Sequence, residues 1–250
     1  TIFSKKIEKF IAGHLVSFLH THAFGDIQWT FIVGFSARDL VVMLMLSWIL
    51  AICTDKKIAA FLNDISGAFD RAFVPYLFPK LQRCGLGDTL LRFLADYLSP
   101  RIGQIIAQGI FSDSFDISNS VFQDIIPGSF LWNIYFADIS MATTKIGGDE
   151  AKFADDLNVF QRFPTLTPQE DCKATMTKCQ ENVHKWGRIN RVSFDAVKEH
   201  MVILHPTKSH GDIFKLLGCV VDIDLRMYSA MEQILNKIRP KVTAILRIRA

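Results

Sequence analysis

Residues 152–160 read KFADDLNVF, two short apolar arms around Asp155-Asp156. That pattern predicts a hairpin with two carboxylates at its tip. Far upstream, Ile58 to Leu62 is a short apolar run ending at Asn63-Asp64, which suits a buried strand with an acid at its exit. Carboxylates are costly against an apolar core, so acids that abut buried strands need compensation. A divalent cation supplies it. Mg²⁺ prefers hard oxygen ligands and commonly takes one or two carboxylates plus substrate phosphates. Two such ions about 4 Å apart can activate an attacking hydroxyl and stabilise the departing oxygen of an in-line phosphoryl transfer. The protein is then left with positioning and charge neutralisation. An Asp-Asp pair is also what an ordinary turn favours, so the pair alone leaves both readings open.

Around these acids the apolar period alternates between helix and strand. Residues 4–22 pattern as a helix with Ile7, Phe10, Ile11, His14, Leu15 and Phe18 on one face. A polar break at 25–39 leads into Leu40–Cys53, the greasiest stretch of the chain. After the strand at 58–62, a helix is predicted over about 70–84, closed by Gly85. Asp88 is placed to N-cap the next helix, which Pro100 stops. Residues 102–121 read as a hairpin turning at Ser112-Asp113, and Pro127-Gly128 precedes a helix with Leu131, Ile134, Tyr135 and Ile139. Thr167-Pro168-Gln169-Glu170 has the form of a capping box with Pro at the first helical position. The helix it opens aligns Cys172, Met176, Cys179, Val183 and Trp186. Strand-like segments at Met201–Leu204 and Phe214–Val221 precede a basic helical tail at 229–250. No repeat or flexible linker divides the chain. The pattern is α+β, a few strands with acids at their ends backed by helices.

The bulk properties narrow the class. Half of the 250 residues are apolar, enough for a sizeable core. The net charge of +3 is uneven: residues 181–250 hold 12 Lys/Arg against 7 Asp/Glu, and residues 1–180 hold 16 against 18. A basic last third suits a phosphate backbone. Five scattered cysteines without a C-x-x-C pair read as reduced thiols of an intracellular protein. Leu40–Cys53 is shorter than the ~20 residues of a bilayer span, so a buried helix is expected there and no membrane association. A membrane-associated protein built on that segment is the rival reading. The N-terminus TIFSKKIEKF has no initiator Met or signal-peptide core, and reads as the interior of a longer polypeptide. His20 and His22 lack a nearby Cys or carboxylate to complete a metal set.

Three segments in order carry a resemblance. DISGAFDR at 64–71 resembles the first palm motif of reverse transcriptases from non-LTR (LINE-like) retrotransposons. NSVFQDIIPGSFLWNIYFAD at 119–138 is similar to the second, and FADD at 153–156 looks like the third, an aromatic-Ala-Asp-Asp turn. QWTFIVGFSARDL at 28–40 is similar to the segment before the palm, NRVSFDAVKEH at 190–200 to the fourth motif, and FKLLG at 214–218 to the primer-gripping hairpin. The resemblance implies a right-hand polymerase palm, an antiparallel sheet backed by helices, with partial fingers and the start of a thumb. Residues 1–57 would be fingers and connecting helices, 58–228 palm and 229–250 thumb. It implies an RNA-directed DNA polymerase, a nucleotidyltransferase using two Mg²⁺ ions, an RNA template, a DNA primer and deoxynucleoside triphosphates. Asp64 and Asp155 would bridge the ions with Asp156 assisting, and the Ile65 carbonyl would be a further ligand. Phe69 would pack under the sugar, Gln123 would sit beside the nascent base pair, and Lys198 would give a proton to the leaving pyrophosphate.

The chain also departs from the pattern. Asp124 stands where the family has Gly, adding bulk and negative charge near the triphosphate. Val33 and Phe35 replace basic residues, and Asn63 occupies a strand position that is apolar or small in the family. These changes favour the alternative reading, a palm that keeps a nucleic-acid groove without polymerising.

Overall fold

The structure, a computed structural model, describes residues 2–19, 28–30, 34–99, 101–117, 121 and 127–248. Two helices come first, α1 (Ile2–Leu19) and α2 (Ala37–Cys53), then strand β1 (Lys56–Asp64). Three helices follow: α3 (Ala68–Arg71), α4 (Val74–Arg83) and α5 (Asp88–Tyr97). Four short strands, β2 (Arg101–Gly103), β3 (Ile106–Ala107), β4 (Ile110–Phe111) and β5 (Phe115–Ile117), lead to helices α6 (Gly128–Ala137) and α7 (Ser140–Thr143). The last part holds β6 (Asp149–Phe153), β7 (Asp156–Pro164), α8 (Gln169–Asn190), β8 (His200–Leu204), β9 (Phe214–Leu216), β10 (Cys219–Val221) and α9 (Tyr228–Ile248).

The central sheet has the order β6-β7-β1-β8, antiparallel throughout. Read along the chain as β1-α6-β6-β7-α8-β8, this is the split β-α-β arrangement of ferredoxin-like sheets. β1 is central and its faces alternate strictly. Ala59 and Phe61 pack with α4, α5, α6 and α8, whereas Ile58, Ala60 and Leu62 pack with α2 and the β9-β10 hairpin. Both faces are covered, and for that reason the strand reads as one continuous apolar run rather than an alternating one.

Helix α6 is apolar all round because it lies inside the larger core, with Phe130, Leu131, Trp132, Ile134, Tyr135 and Phe136 buried. Its polar atoms are paired. Asn133 accepts from Gln28 Nε2 at 3.2 Å and donates to the Thr30 carbonyl at 3.3 Å, while the Tyr135 hydroxyl donates to the Asn190 carbonyl. Lys80 joins α4 to this core, donating to the Tyr135 carbonyl at 2.6 Å, Asp138 at 2.8 Å and Asn190 at 2.9 Å. Helix α8 buries Cys172, Met176, Cys179, Val183 and Trp186, the stripe expected from the sequence.

Several local expectations need correction. The 70–84 helix is interrupted: α3 ends at Arg71 and α4 begins at Val74, with extended backbone at Ala72 and Phe73. Asp88 is the first residue of α5, whose N-cap is Gly87. In the 102–121 segment the chain turns at Gln108-Gly109, both with positive φ, between β3 and β4, and Ser112-Asp113 lie in the return arm. The capping box at Thr167 does not form. Pro168 caps α8 without a side-chain hydrogen bond, and the Thr167 carbonyl accepts from Lys57 instead. A capping box does form at α2, where Ser36 and Asp39 exchange hydrogen bonds.

Helix α2 is only half buried. Leu40, Val41, Leu44, Met45, Trp48 and Ala51 face the sheet, and Val42, Met43, Leu46 and Leu50 are exposed. Among the described residues no helix is long and apolar enough to cross a membrane. His20, His22 and Val33 lie outside the described residues.

Candidate active site

The antiparallel register places Asp64 directly opposite Asp156 on the last rung between β1 and β7. Opposed residues of a ladder project to the same face, about 5 Å apart at the backbone. That face is the one covered by α2 and the β9-β10 hairpin, since Asp64 continues the Ile58, Ala60, Leu62 row. β6 and β7 are joined by Ala154 and Asp155 between the paired residues Phe153 and Asp156. Ala154 has φ +56°, a left-handed conformation that side chains other than Gly and Asn adopt at a cost. Such strain concentrates at functional turns. The buried indole of Trp132 donates to the Ala154 carbonyl at 3.1 Å and supports the turn from beneath.

The three acids interact electrostatically. Burial raises the Asp155 carboxyl above the usual range, and the negative charge of Asp64 adds to this, against relief from Lys198. Asp156 is pushed up to about 7, by burial first and then by Asp155 and Asp64. Lys198 donates to Asp64 Oδ2 at 3.0 Å, and this hydrogen bond raises the Lys198 ammonium above its ordinary value. The ammonium also stands 3.8 Å from Asp195 Oδ2.

The loop carrying Lys198 is laced to the exit of β1. The amide of Asp195 donates to the Asp64 carbonyl and the amide of Ser66 to the Ser193 carbonyl, each at 3.1 Å, around the bridge between Ile65 and Phe194. That bridge does not use the Ile65 carbonyl, while the Ile65 side chain is buried in the core. Gly187 of α8 allows the close approach. A Cβ there would come within 2.6 Å of the Phe194 ring and 2.8 Å of the Val192 carbonyl.

A groove of about 510 Å³ opens beside these acids, lined by Asp64, Asp156, Asn158, Lys198, His200 and, from the β9-β10 hairpin, Phe214, Lys215, Leu217 and Gly218. The fold thus brings Asp64, Asp156 and Lys198 to one groove, with Asp155 on the adjoining turn. Among the described residues no three His, Cys, Asp or Glu side chains stand close enough to chelate one metal together. Gln123, Asp124 and the side chain of Phe69 lie outside the described residues. Phe35 is exposed and meets Trp29 edge to face, with ring centroids 4.8 Å apart.

Two features went unread in the sequence. Trp132 gave no sign of holding the acidic turn. Glu199, next to Lys198, collects Asn63, Gln180 and His184 around its carboxylate. The signal was there: an Asn inside an apolar strand, and a Gln and a His four apart on α8.

No protein-family profile and no curated protein sequence matches the chain. Solved structures do. Apo telomerase of Candida tropicalis truncated from its C-terminal domain superposes with a TM-score of 0.61 and 8% identity, over 89% of this chain and 44% of that one. Telomerase of Candida albicans, in complex with a TWJ fragment of telomeric RNA, gives a TM-score of 0.61 and 14% identity, over 88% and 38%. A second apo telomerase structure from Candida tropicalis gives 0.60 and 8%, over 89% and 40%. The chain spans less than half the length of these structures. At such identities the likeness is one of fold, that of the matched part of these telomerase structures.

Proposed function

We propose that this chain is the palm-centred part of an RNA-directed DNA polymerase from a non-LTR retrotransposon, working inside the cell. The observation that carries the reading is the Asp64–Asp156 rung, beside the Asp155 turn and Lys198, opening on a groove large enough for a nucleotide. In this reading residues 1–57 are fingers and connecting helices, 58–228 the palm and 229–250 the start of the thumb.

The donor chemistry fits Mg²⁺. Every candidate ligand is a hard oxygen, and the carboxyls of Asp155 and Asp156 are burdened by burial and by neighbouring carboxylates, Asp64 for both and Asp155 for Asp156, a burden that cations relieve. Asp64 and Asp155 would hold two ions jointly, with Asp156 and the Ile65 carbonyl assisting. The ions would activate the primer 3′-hydroxyl and stabilise the leaving oxygen. The chain's residues orient the rest. The strained Ala154-Asp155 turn, supported by Trp132, fixes the direction of the acids. Phe69, Gln123 and Asp124 would meet the sugar, the nascent pair and the triphosphate of a deoxynucleotide paired to an RNA template. As the 3′-oxygen bonds to the α-phosphorus and the bond to pyrophosphate breaks, Lys198 would give its proton to the pyrophosphate.

A second reading rests on one observation: Lys198 occupies the Asp64 carboxylate. A palm whose first acid is held in an ion pair, with Asp124 in place of Gly, would keep a nucleic-acid groove without polymerising. Primer extension on an RNA template with Mg²⁺ separates the two, using the chain joined to fingers and thumb segments. The polymerase reading expects incorporation that Asp64→Asn abolishes. No incorporation, with or without Asp124→Gly, overturns it.

A further inference from the structure

Glu199 immediately precedes β8, one residue after Lys198, and its side chain is only 9% exposed. A carboxylate so placed needs donors, and it has three. Its Oε1 accepts from Asn63 Nδ2 at 3.0 Å and meets His184 Nε2 at 2.6 Å, and its Oε2 accepts from Gln180 Nε2 at 2.7 Å. One carboxylate therefore ties together β1, α8 and β8. Asn63 is the residue before Asp64. It is buried, and its Oδ1 has no hydrogen-bond partner, so an amide is kept inside an apolar strand at a cost. Its described side-chain hydrogen bond is the one to Glu199. At the other end of the same turn, Asp195 hangs from the Asp64 carbonyl, and the Lys198 amide donates to the Asp195 carbonyl at 2.9 Å. The turn is thus pinned at both ends, by Asp64 before it and by Glu199 after it.

We infer that Glu199 is a positioning residue: through Asn63, Gln180 and His184 it fixes the 195–198 turn, so that the Lys198 ammonium stands against the Asp64 carboxylate at the mouth of the groove. The inference rests on the polymerase reading for what Lys198 does there, but not for the anchor itself. A charged acceptor with three donors makes strong hydrogen bonds. A shorter residue at 199 would leave the turn attached at one end only, and an apolar residue at 63 would leave Glu199 held by α8 alone.

Amide hydrogen exchange on the full chain tests the anchor without any need for activity. In Glu199→Ala the amides of 193–198 are expected to exchange about tenfold faster or more, while those of β1, β6 and β7 stay near wild type. Glu199→Gln keeps an acceptor for Asn63 and reverses most of the change. Asn63→Ala, a gentler loss, gives the same local pattern at smaller size and serves if Glu199→Ala does not fold. Unchanged exchange in the turn, or a uniform rise across the whole sheet, overturns the inference. In primer extension Glu199→Ala is expected to lower kcat about 10- to 100-fold with the nucleotide KM little changed, and Glu199→Gln to recover it. A loss confined to KM overturns the assigned role. If wild type extends no primer, the polymerase reading falls and the exchange pattern alone decides the anchor.

Discussion

The indole nitrogen of Trp132 donates to the carbonyl of Ala154 across 3.1 Å, linking the largely buried helix α6 to the turn that carries Asp155. The turn is strained at Ala154, and a strained turn persists only where its surroundings over-determine it. Trp132→Phe removes the donor and leaves a gap beside Phe136, whose ring stacks on the indole at 5.6 Å. We expect a loss of about 2–3 kcal/mol in urea unfolding. Exchange at the Asp155 and Asp156 amides should rise more than in the rest of β7. A variant as stable as wild type, with an equally protected turn, would show that the indole only fills space.

Gly187→Ala tests how the Lys198 loop is seated. The new methyl would meet the Val192 carbonyl, which is backbone and cannot swing away, and the Phe194 ring. Overpacking costs about 1–3 kcal/mol, against a gain of up to about 1 kcal/mol in helix propensity. A net loss of about 1–2 kcal/mol is expected in chemical denaturation, together with weaker protection of the Asp195 amide. Stabilisation would mean that the 192–194 segment has room to move.

The central sheet was legible because its signals are local. Each apolar run ended in an acid or a turn residue, and the Cys172–Trp186 stripe had a clean helical period. The meeting of Asp64 with Asp156 follows from a register that no local pattern encodes; the ordered motifs pointed to Asp64 and Asp155 as the bridging pair, with Asp156 assisting. The errors fell where tertiary contacts outbid local preference. Lys57 donates to the Thr167 carbonyl, which at an N-cap would have accepted the first bond of the helix. The 102–121 arm turned at Gln108-Gly109 because a Gly with φ +81° closes a tighter loop than Ser112-Asp113 can. Glu199 was harder to read, because its partners come from two elements, β1 and α8, whose meeting no local pattern encodes.

Helix α2 should respond differently on its two faces. Trp48 is fully buried against Phe160 and Phe214, and its Nε1 has no hydrogen-bond partner. Trp48→Ala is expected to cost about 3–5 kcal/mol. Trp48→Phe removes the unpaired donor along with some volume, so its cost should stay within about 1–2 kcal/mol. Leu46→Glu, on the exposed face, should change thermal stability by no more than about 0.5 kcal/mol. A large loss at Leu46 would show that the outer face is covered in solution.

The buried carboxyl of Asp156 gives a dependence on pH whose sign can be worked out. Its folded pKa of about 7 lies above the ordinary carboxylate value, so the folded chain holds a proton there that the unfolded chain releases. The stability from the neutral form is complete below about pH 4 and is lost as pH rises through 7. Asp155 shifts in the same direction. Asp156→Asn cannot ionise, so in the absence of divalent cations it should be the more stable protein at pH 8, by about 2–4 kcal/mol at most. The difference should shrink toward zero near pH 4. Added Mg²⁺ at pH 8 should raise the wild-type Tm more than the variant's, because in wild type the cation offsets one more carboxylate charge that burial penalises, while Asp64 and Asp155 remain in both. Thermal unfolding of both proteins at pH 4, 6 and 8, with EDTA or with Mg²⁺, reads all of this. If Asp156→Asn is the weaker protein at pH 8 in EDTA, the ionised carboxylate is stabilised by the fold rather than held there against its solvation.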